Sequence, residues 1–215
     1  MKLSYRFLLG AALCFICLSG CRSGYYAAWE KFGVYKRDLL NKKVVAARDG
    51  EKAASEQFKD ALTRLKELYN FDGGKLDQTY SSLQRDYDRS VAKAEEVRKR
   101  IKEMETVAGD LFAEWETEMK EISTPALRAS SRKTLEETRD HYETLHRALK
   151  KAEQSMAPVL VQFRDHVLYL KHNLNAQAIA SLRGEGANIQ TEISRLIGEM
   201  NNSIAQAEEF IKALP

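Results

Sequence analysis

Apolar side chains recur every three or four residues along most of the chain after residue 25, and charged residues fill the positions between them. This spacing places the apolar side chains on one narrow face of a helix, as in a coiled coil. A typical run, from the middle of the chain, reads Leu76, Tyr80, Leu83, Tyr87, Val91, Ala94, Val97, Ile101, Met104, Ala108, Leu111 and Trp115. The pattern predicts long helices, each with one apolar face, which we call its seam.

Three turn signals divide the pattern. Paired glycines, Gly73 and Gly74, end the first helix, because glycine accepts the backbone conformations that a helix end requires. Thr124 is a predicted N-cap and Pro125 occupies the first helical position, where proline is tolerated best. A weaker signal follows His172. The predicted helices cover 25–69, 76–122, 125–172 and a last segment that ends at 214.

Helices of about 45 residues are about 68 Å long, and short turns make successive helices antiparallel. The sequence therefore predicts an all-α fold, an elongated antiparallel coiled coil or bundle of four long helices, as one domain over residues 25–214. Pro158 lies inside the third helix and predicts a kink there. Gly184 and Gly186 on the fourth helix favour a shared bend. The boundary between these two helices falls either at 172–175 or at Gly184–Gly186.

The first 20 residues have the features of a signal peptide. Lys2 and Arg6 precede 12 uncharged residues, a run too short to cross a bilayer. It ends in Leu18-Ser19-Gly20-Cys21, which resembles the bacterial lipobox. We expect residues 1–20 to be removed, Cys21 to be lipidated, and residues 21–24 to form a short tether to the membrane. Arg22, in place of an inner-membrane retention signal, favours the outer membrane over the inner one.

Charge and cysteine content narrow the function classes. The 215 residues contain 34 basic and 31 acidic residues, and removal of residues 1–20 leaves 32 basic against 31 acidic residues. A near-neutral chain lacks the positive surface that binding to nucleic acid requires, so we expect no nucleic-acid partner. All three cysteines, Cys14, Cys17 and Cys21, lie at or before the predicted lipidation site. The mature domain thus has no disulfide and no thiolate nucleophile.

No residue pattern points to catalysis, a metal or another cofactor. His141 and His146 are five residues apart, and His166 and His172 are six apart, whereas a helical metal site uses spacings of three or four. Glu143 and His146 form one Glu-x-x-His match, but a di-metal bundle needs two. We expect a non-enzymatic protein. Tyr25 and Tyr26, directly after the tether, are expected at the lipid headgroups.

Three segments carry a family resemblance: Trp29 to Asp38 (WEKFGVYKRD), Glu56 to Lys59 (EQFK) and Leu170 to Ala176 (LKHNLNA). The chain over about residues 25–212 resembles an uncharacterised proteobacterial family, domain of unknown function 2959. The resemblance implies an envelope lipoprotein, and it brings no established activity and no functional residues.

Together these features predict a periplasm-facing envelope lipoprotein that acts as a helical scaffold or adaptor. Its partners would be the membrane, through the lipid on Cys21, and a protein or a second copy of the chain, through the helical seams. The alternative is a ligand- or metal-binding bundle with a site near Pro158 and Gly184–Gly186, where broken helices would free backbone polar groups.

Overall fold

The computed structural model describes Tyr26, residues 35–70 and residues 76–214. These residues form four long helices and contain no strand, which confirms the predicted all-α bundle. The helices are α1 Lys36–Tyr69, α2 Leu76–Glu121, α3 Pro125–His172 and α4 Ala176–Ala213. None of them combines the length and the apolar character that crossing a membrane requires.

Most predicted helix boundaries are confirmed. Helix α1 ends at Tyr69 and α3 spans Pro125–His172, as the pattern predicts. Helix α4 runs without interruption through Gly184 and Gly186, so the boundary between α3 and α4 lies in the turn before Ala176. The predicted turn at Gly73 and Gly74, and the first part of the predicted first helix, lie outside the described residues.

Each helix packs against the next along the chain, and α4 closes the bundle against α1. At one end, the indole nitrogen of Trp115 on α2 donates a hydrogen bond to Ser131 on α3, at 2.9 Å. At the other end, the hydroxyl of Tyr69 on α1 lies 2.9 Å from Nδ1 of His166 on α3. We call these the proximal and distal ends. Since α3 has 48 residues, it is about 72 Å long.

Side chains near the turns satisfy the polar groups at helix ends. Asn175 caps α4, because its side-chain oxygen accepts a hydrogen bond from the backbone of Ala178 at 2.9 Å. Thr124 is the N-cap of α3, as the sequence predicts, although its side chain forms no capping hydrogen bond. In this turn, Arg128 instead donates two hydrogen bonds to the carbonyl oxygen of Ile122.

The predicted seams form the core. On α3 the seam residues Leu135, Leu145 and Leu149 are at most 3 % exposed, and most seam residues of the other three helices are buried as well. The seam residues of α2 that are only partly buried are Leu76, Tyr80, Tyr87, Val91 and Trp115. Leu127, predicted as the first seam residue of α3, is 61 % exposed. The first buried residue of α3 is Leu135, so the turns that carry Leu127 project past the core.

A glutamate interrupts the core midway along the bundle. Glu51 on α1 is fully buried, and neither of its carboxylate oxygens has a hydrogen-bond partner. The next turn places Ser55, whose hydroxyl is also buried and unpaired. Burial, reinforced by the nearby charge of Glu153, raises the pKa of Glu51 to about 8. At neutral pH this side chain is therefore mostly protonated, because the apolar core disfavours its charged form.

Glu153 on α3, which is also buried, behaves differently because it has partners. Arg98 on α2 and Lys150 one turn earlier on α3 each donate to its carboxylate at 2.8 Å. Burial opposes its ionisation, but these two hydrogen bonds prevail and lower the pKa of Glu153. The core therefore holds a charged, paired glutamate close to a neutral, unpaired one.

The pKa of Glu51 predicts how stability depends on pH. It lies above the unfolded value of 4.5, so the folded chain holds a proton that the unfolded chain releases, and stability falls as pH rises from 4.5 to 8. A Glu51→Gln variant keeps the shape without the charge. We expect it to be more stable than the parent at pH 9 by about 5 kcal/mol, and to differ little at pH 4.5. Urea unfolding at both pH values measures this.

Glu209→Gln provides the control, since Glu209 is an exposed residue of α4. This variant should follow the parent at both pH values. A difference between Glu51→Gln and the parent that is the same at pH 4.5 and pH 9 would contradict the assignment of a raised pKa to Glu51.

Candidate functional site

A concave surface of about 540 Å³ lies between α3 and α4, near the distal end, and forms an open groove. One face of each helix lines it, because the contributing residues on each are separated mainly by three or four positions. The lining residues are Gln162, Asp165, His166 and Tyr169 from α3, and Ser181, Leu182, Glu185 and Asn188 from α4. A volume of this size suits a small organic molecule.

His166 connects the groove to the core. Its side chain is only 8 % exposed, and its Nδ1 lies 2.9 Å from the hydroxyl of Tyr69. Burial lowers the pKa of His166, and this effect outweighs the nearby negative charges of Asp165 and Glu185, which act in the opposite direction. Burial also raises the pKa of Tyr69, which keeps the phenol protonated. The neutral phenol and the imidazole therefore share one hydrogen bond, between the Tyr69 hydroxyl and Nδ1 of His166.

Gly186 allows Tyr69 to occupy this position. A Cβ atom on Gly186 would lie 2.5 Å from Cε2 of the Tyr69 ring, well inside van der Waals contact. Arg183, one turn earlier on α4, donates through Nε to the carbonyl oxygen of Tyr69 at 2.7 Å. This bond satisfies one of the carbonyl groups that the end of α1 would otherwise leave unpaired. Gly186 thus leaves room for the Tyr69 ring behind the groove, and the hydrogen bond from Arg183 fixes the Tyr69 backbone there.

The groove is acidic. Asp165 and Glu185 contribute two carboxylates from opposite sides, and the lining includes no lysine or arginine. Arg164 lies 3.6 Å from Asp165 but lines a different groove, between α2 and α3. Gln162, Ser181 and Asn188 add groups that donate and accept hydrogen bonds. The site is therefore equipped to bind a polar molecule, and its charge favours a cation.

The structure separates the four histidines. His146 pairs with Glu105 at 2.7 Å and stacks on Tyr142, while His141 and His172 are exposed. Of the Glu-x-x-His match, Glu143 lies 3.8 Å from Arg147. No three histidine, cysteine, aspartate or glutamate residues in the described part of the chain come together as a metal site.

The predictions at the N-terminal end have two outcomes. Cys21 and the residues before it lie outside the described residues, as does Tyr25. The placement of Tyr26 at the lipid headgroups is wrong. Tyr26 is only 8 % exposed, and its hydroxyl donates to Asp110 on α2 at 2.5 Å. The position of Tyr26 close to the predicted anchor favours the membrane. The bundle instead buries its apolar ring and provides a hydrogen-bond partner for its hydroxyl.

The groove lies close to the site predicted near Pro158 and Gly184–Gly186, but not for the predicted reason. Glu185 lines it and Gly186 lies behind it, whereas Pro158 is exposed and does not contribute. Helix α4 is not broken at its glycines. Sequence reasoning missed Gln162, Asp165 and Tyr169, because polar residues at helical spacing resemble an ordinary solvated face.

Comparison with known proteins identifies one family. A family model described as "Protein of unknown function (DUF2959)" matches residues 25–214, which include all four helices. No curated protein and no solved structure matches the chain.

The two glycines of α4 near the groove provide a matched test of its geometry. Gly186→Ala forces the Tyr69 ring to move and weakens its bond to His166, so we expect a loss of about 1 to 3 kcal/mol in unfolding free energy. Gly184 has open space around it, so Gly184→Ala should gain about 0.5 to 1 kcal/mol from helix propensity. Denaturant titration measures both. Equal effects of the two substitutions would show that Tyr69 does not pack against Gly186.

Proposed function

The chain belongs to the DUF2959 family, and from this premise we propose that it is a non-enzymatic lipoprotein of the cell envelope that acts as a helical scaffold or adaptor. In this proposal a lipid on Cys21 anchors the proximal end of the bundle. The distal end then meets a protein partner in the periplasm.

One observation carries the proposal: exposed apolar side chains are concentrated at the distal end. Of the six large apolar residues that the described part of the chain exposes, four lie between residues 161 and 174. They are Val161, Leu168, Tyr169 and Leu174, which lie around the distal part of α3 and the turn after it and which we call the distal patch. Val161 faces the groove between α2 and α3, and Tyr169 faces the groove between α3 and α4. The other two, Tyr35 and Leu127, lie singly near the proximal end. Clustered exposed apolar residues are typical of protein interaction surfaces, whereas single ones are common on any protein.

In this proposal the anchor and the distal patch belong to opposite ends of the bundle. Tyr26 is hydrogen-bonded to Asp110 in the proximal half of the bundle, and Cys21 precedes it by five residues, a reach of at most about 18 Å. Val161 follows the start of α3 by 36 residues, or about 54 Å of helix. A lipid on Cys21 would thus keep the proximal end at the membrane and hold the distal patch well away from it.

The seams themselves are a poor contact surface for a partner. Their side chains face one another in the core, so a partner helix that paired along a seam would have to displace one of the four helices. The distal patch offers apolar contact without that cost. A second copy of the chain could occupy it as well as another protein.

The membrane assignment rests on the N-terminal motif alone. Arg22 after Cys21 favours the outer membrane.

The charge balance argues against nucleic acid as a partner. After removal of residues 1–20 the chain has 32 basic against 31 acidic residues, too nearly neutral to attract a polyanion.

The acidic groove between α3 and α4 favours a second candidate function, the binding of a small polar ligand near Gly184–Gly186. The depth of His166 and the fixed position of Tyr69 support it, because a preformed site loses little free energy to ordering. The metal-binding form of this alternative has no support in the described residues, where no three metal-ligating side chains are grouped.

Lipidation has a matched test within the signal segment. In the native host we expect the mature chain to lack residues 1–20 and to carry acyl groups, which intact-mass spectrometry of the membrane fraction measures. Cys21→Ser should abolish acylation, because the thiol is the acceptor. Cys17→Ser, four residues earlier, should leave it unchanged. Acylation of the Cys21→Ser chain, or cleavage of the parent chain without acylation, would contradict the anchor.

The distal patch is tested by crosslinking in intact cells followed by mass spectrometry. We expect the parent chain to yield a specific crosslinked protein, or a crosslinked copy of itself. The double substitution Val161→Ser and Leu168→Ser should reduce the yield at least fivefold, because it removes apolar contact area. Leu127→Ser is the control, since Leu127 is equally apolar and exposed but lies near the proximal end. Crosslinks of equal yield in all three chains would overturn the assignment of the patch.

A further inference from the structure

We propose that the α2–α3 hairpin at the proximal end rests on the surface of an anionic lipid membrane, with Leu127 inserted among the headgroups and basic side chains of α3 beside their phosphates. This inference rests on the proposed function, in which a lipid on Cys21 anchors the same end of the bundle. It adds a second, non-covalent contact between the chain and that membrane.

The hairpin projects past the core as a pair of helices. The last buried residue of α2 is Phe112, and the first buried residue of α3 is Leu135. We call the residues between them, 113–134, the arm. Its α3 half has ten residues and is about 15 Å long. The indole of Trp115 donates to Ser131 at 2.9 Å, which ties the two halves of the arm together.

The α3 half of the arm is basic. Residues 122–135 include Arg128, Arg132 and Lys133 but no acidic residue. Arg128 is held in the turn by its hydrogen bonds to the backbone, whereas Arg132 and Lys133 are exposed. Lys133 lies 3.7 Å from Glu137 in a pair that is itself exposed to solvent. Exposed lysine and arginine side chains are attracted to anionic headgroups, and salt screens this attraction.

The acidic residues of the arm do not cancel this charge, because they lie on α2 and most have cations beside them. They are Glu114, Glu116, Glu118 and Glu121. Lys36 on α1 donates to Glu114, and Arg139 on α3 donates to Glu116 at 2.7 Å. Glu118 lines a groove that Arg37 also lines. The α3 half is therefore the side of the arm that an anionic surface attracts.

Leu127 provides the apolar part of the contact. At 61 % it is the most exposed of the large apolar residues in the described part of the chain, and it lies in the first turn of α3, beside the basic residues. Tyr35, which is 59 % exposed, lies at the same end of the bundle. An exposed apolar side chain flanked by cations and an aromatic ring is typical of segments that lie in the headgroup region of a membrane.

The predicted tether is too short to hold a membrane away from the arm. Tyr26 donates to Asp110, and Cys21 precedes Tyr26 by five residues, a reach of at most about 18 Å. From Asp110 to the end of α2 at Glu121 the helix covers about 17 Å. A lipid on Cys21 thus reaches little farther than the tip of the arm, so the membrane that it enters lies against the arm.

The inference is tested on the acylated chain, purified from the membranes of its native host and placed in vesicles of equal parts phosphatidylglycerol and phosphatidylethanolamine. Acylation and removal of residues 1–20 leave no free thiol, so one engineered cysteine carries a thiol-reactive fluorescent dye. The dye is placed at Leu127→Cys, or at Val161→Cys in the distal patch as the matched exposed apolar control. Quenching by a lipid with a nitroxide near its headgroup measures contact with the membrane.

We expect the dye at Leu127→Cys to be quenched at least threefold more than the dye at Val161→Cys, because only the arm meets the headgroups. Equal quenching of the two dyes would overturn the inference, since the bundle would then lie flat on the membrane. A dye at Leu127→Cys that shifts to shorter emission wavelength without quenching would also overturn it, because a second copy of the chain would then cover the arm.

The charge is tested in the chain labelled at Leu127→Cys. Arg132→Gln with Lys133→Gln should reduce the quenching at least twofold, as should vesicles of phosphatidylcholine alone, because both remove the attraction between the arm and the lipid. Arg147→Gln with Lys171→Gln is the matched control, since these basic residues are exposed on α3 outside the arm. It should leave the quenching unchanged. Full quenching in the Arg132 and Lys133 double variant would overturn the inference.

Failure of the inference and failure of the anchor give different results. If the parent chain takes up no dye and floats with the vesicles while the dye at Leu127→Cys is not quenched, the anchor stands and the membrane contact of the arm is overturned. If the parent chain itself takes up dye, or does not float with the vesicles, Cys21 carries no lipid, and the proposed anchor fails together with the inference.

Discussion

Burial of four narrow apolar seams against one another is the constraint on which the rest of this structure depends. Each helix is only partly apolar, and a single amphipathic helix gains too little from its own hydrogen bonds to be stable in water. The closed arrangement, in which α1 contacts both α2 and α4, buries every seam at once. Because the seams are long, the bundle is long, and its two ends are separated by tens of ångströms. This separation holds the distal patch tens of ångströms from the proximal end, where we propose that the chain is anchored.

The sequence predicts the helices well because their signals are local and repeated. Spacings of three and four residues continue for more than ten turns in α2, from Leu76 to Trp115, and Pro125 marks the start of α3 directly. The sequence predictions that are wrong concern positions where contacts between helices, rather than the local sequence, determine the structure. Gly184 and Gly186 look like a helix break, yet α4 continues through both, and Gly186 leaves the space that the Tyr69 ring occupies. Leu127 fits the seam by spacing but is exposed, because the register of a seam does not reveal where the core ends.

The residues that line the candidate groove could not be predicted from the sequence. Asp165 and Glu185 lie on different helices, 20 residues apart in sequence, and only the antiparallel packing of α3 on α4 brings them to one site. The role of His166 depends on Tyr69, which is 97 residues away. No spacing rule within one helix connects these residues. The sequence could indicate the neighbourhood, through Gly184 and Gly186, but not the side chains that line it.

The buried glutamate in the middle of the core has a consequence for the charge of the whole molecule. With a pKa of about 8, Glu51 is neutral in most folded molecules at pH 7 but ionised in the unfolded chain. The folded chain then has 30 ionised acidic residues against 34 basic ones, a net charge of +4 instead of the +3 that its 31 acidic residues imply. Through this one side chain, folding at neutral pH takes up a proton from the solvent, so the heat of unfolding in a calorimeter depends on the ionisation enthalpy of the buffer.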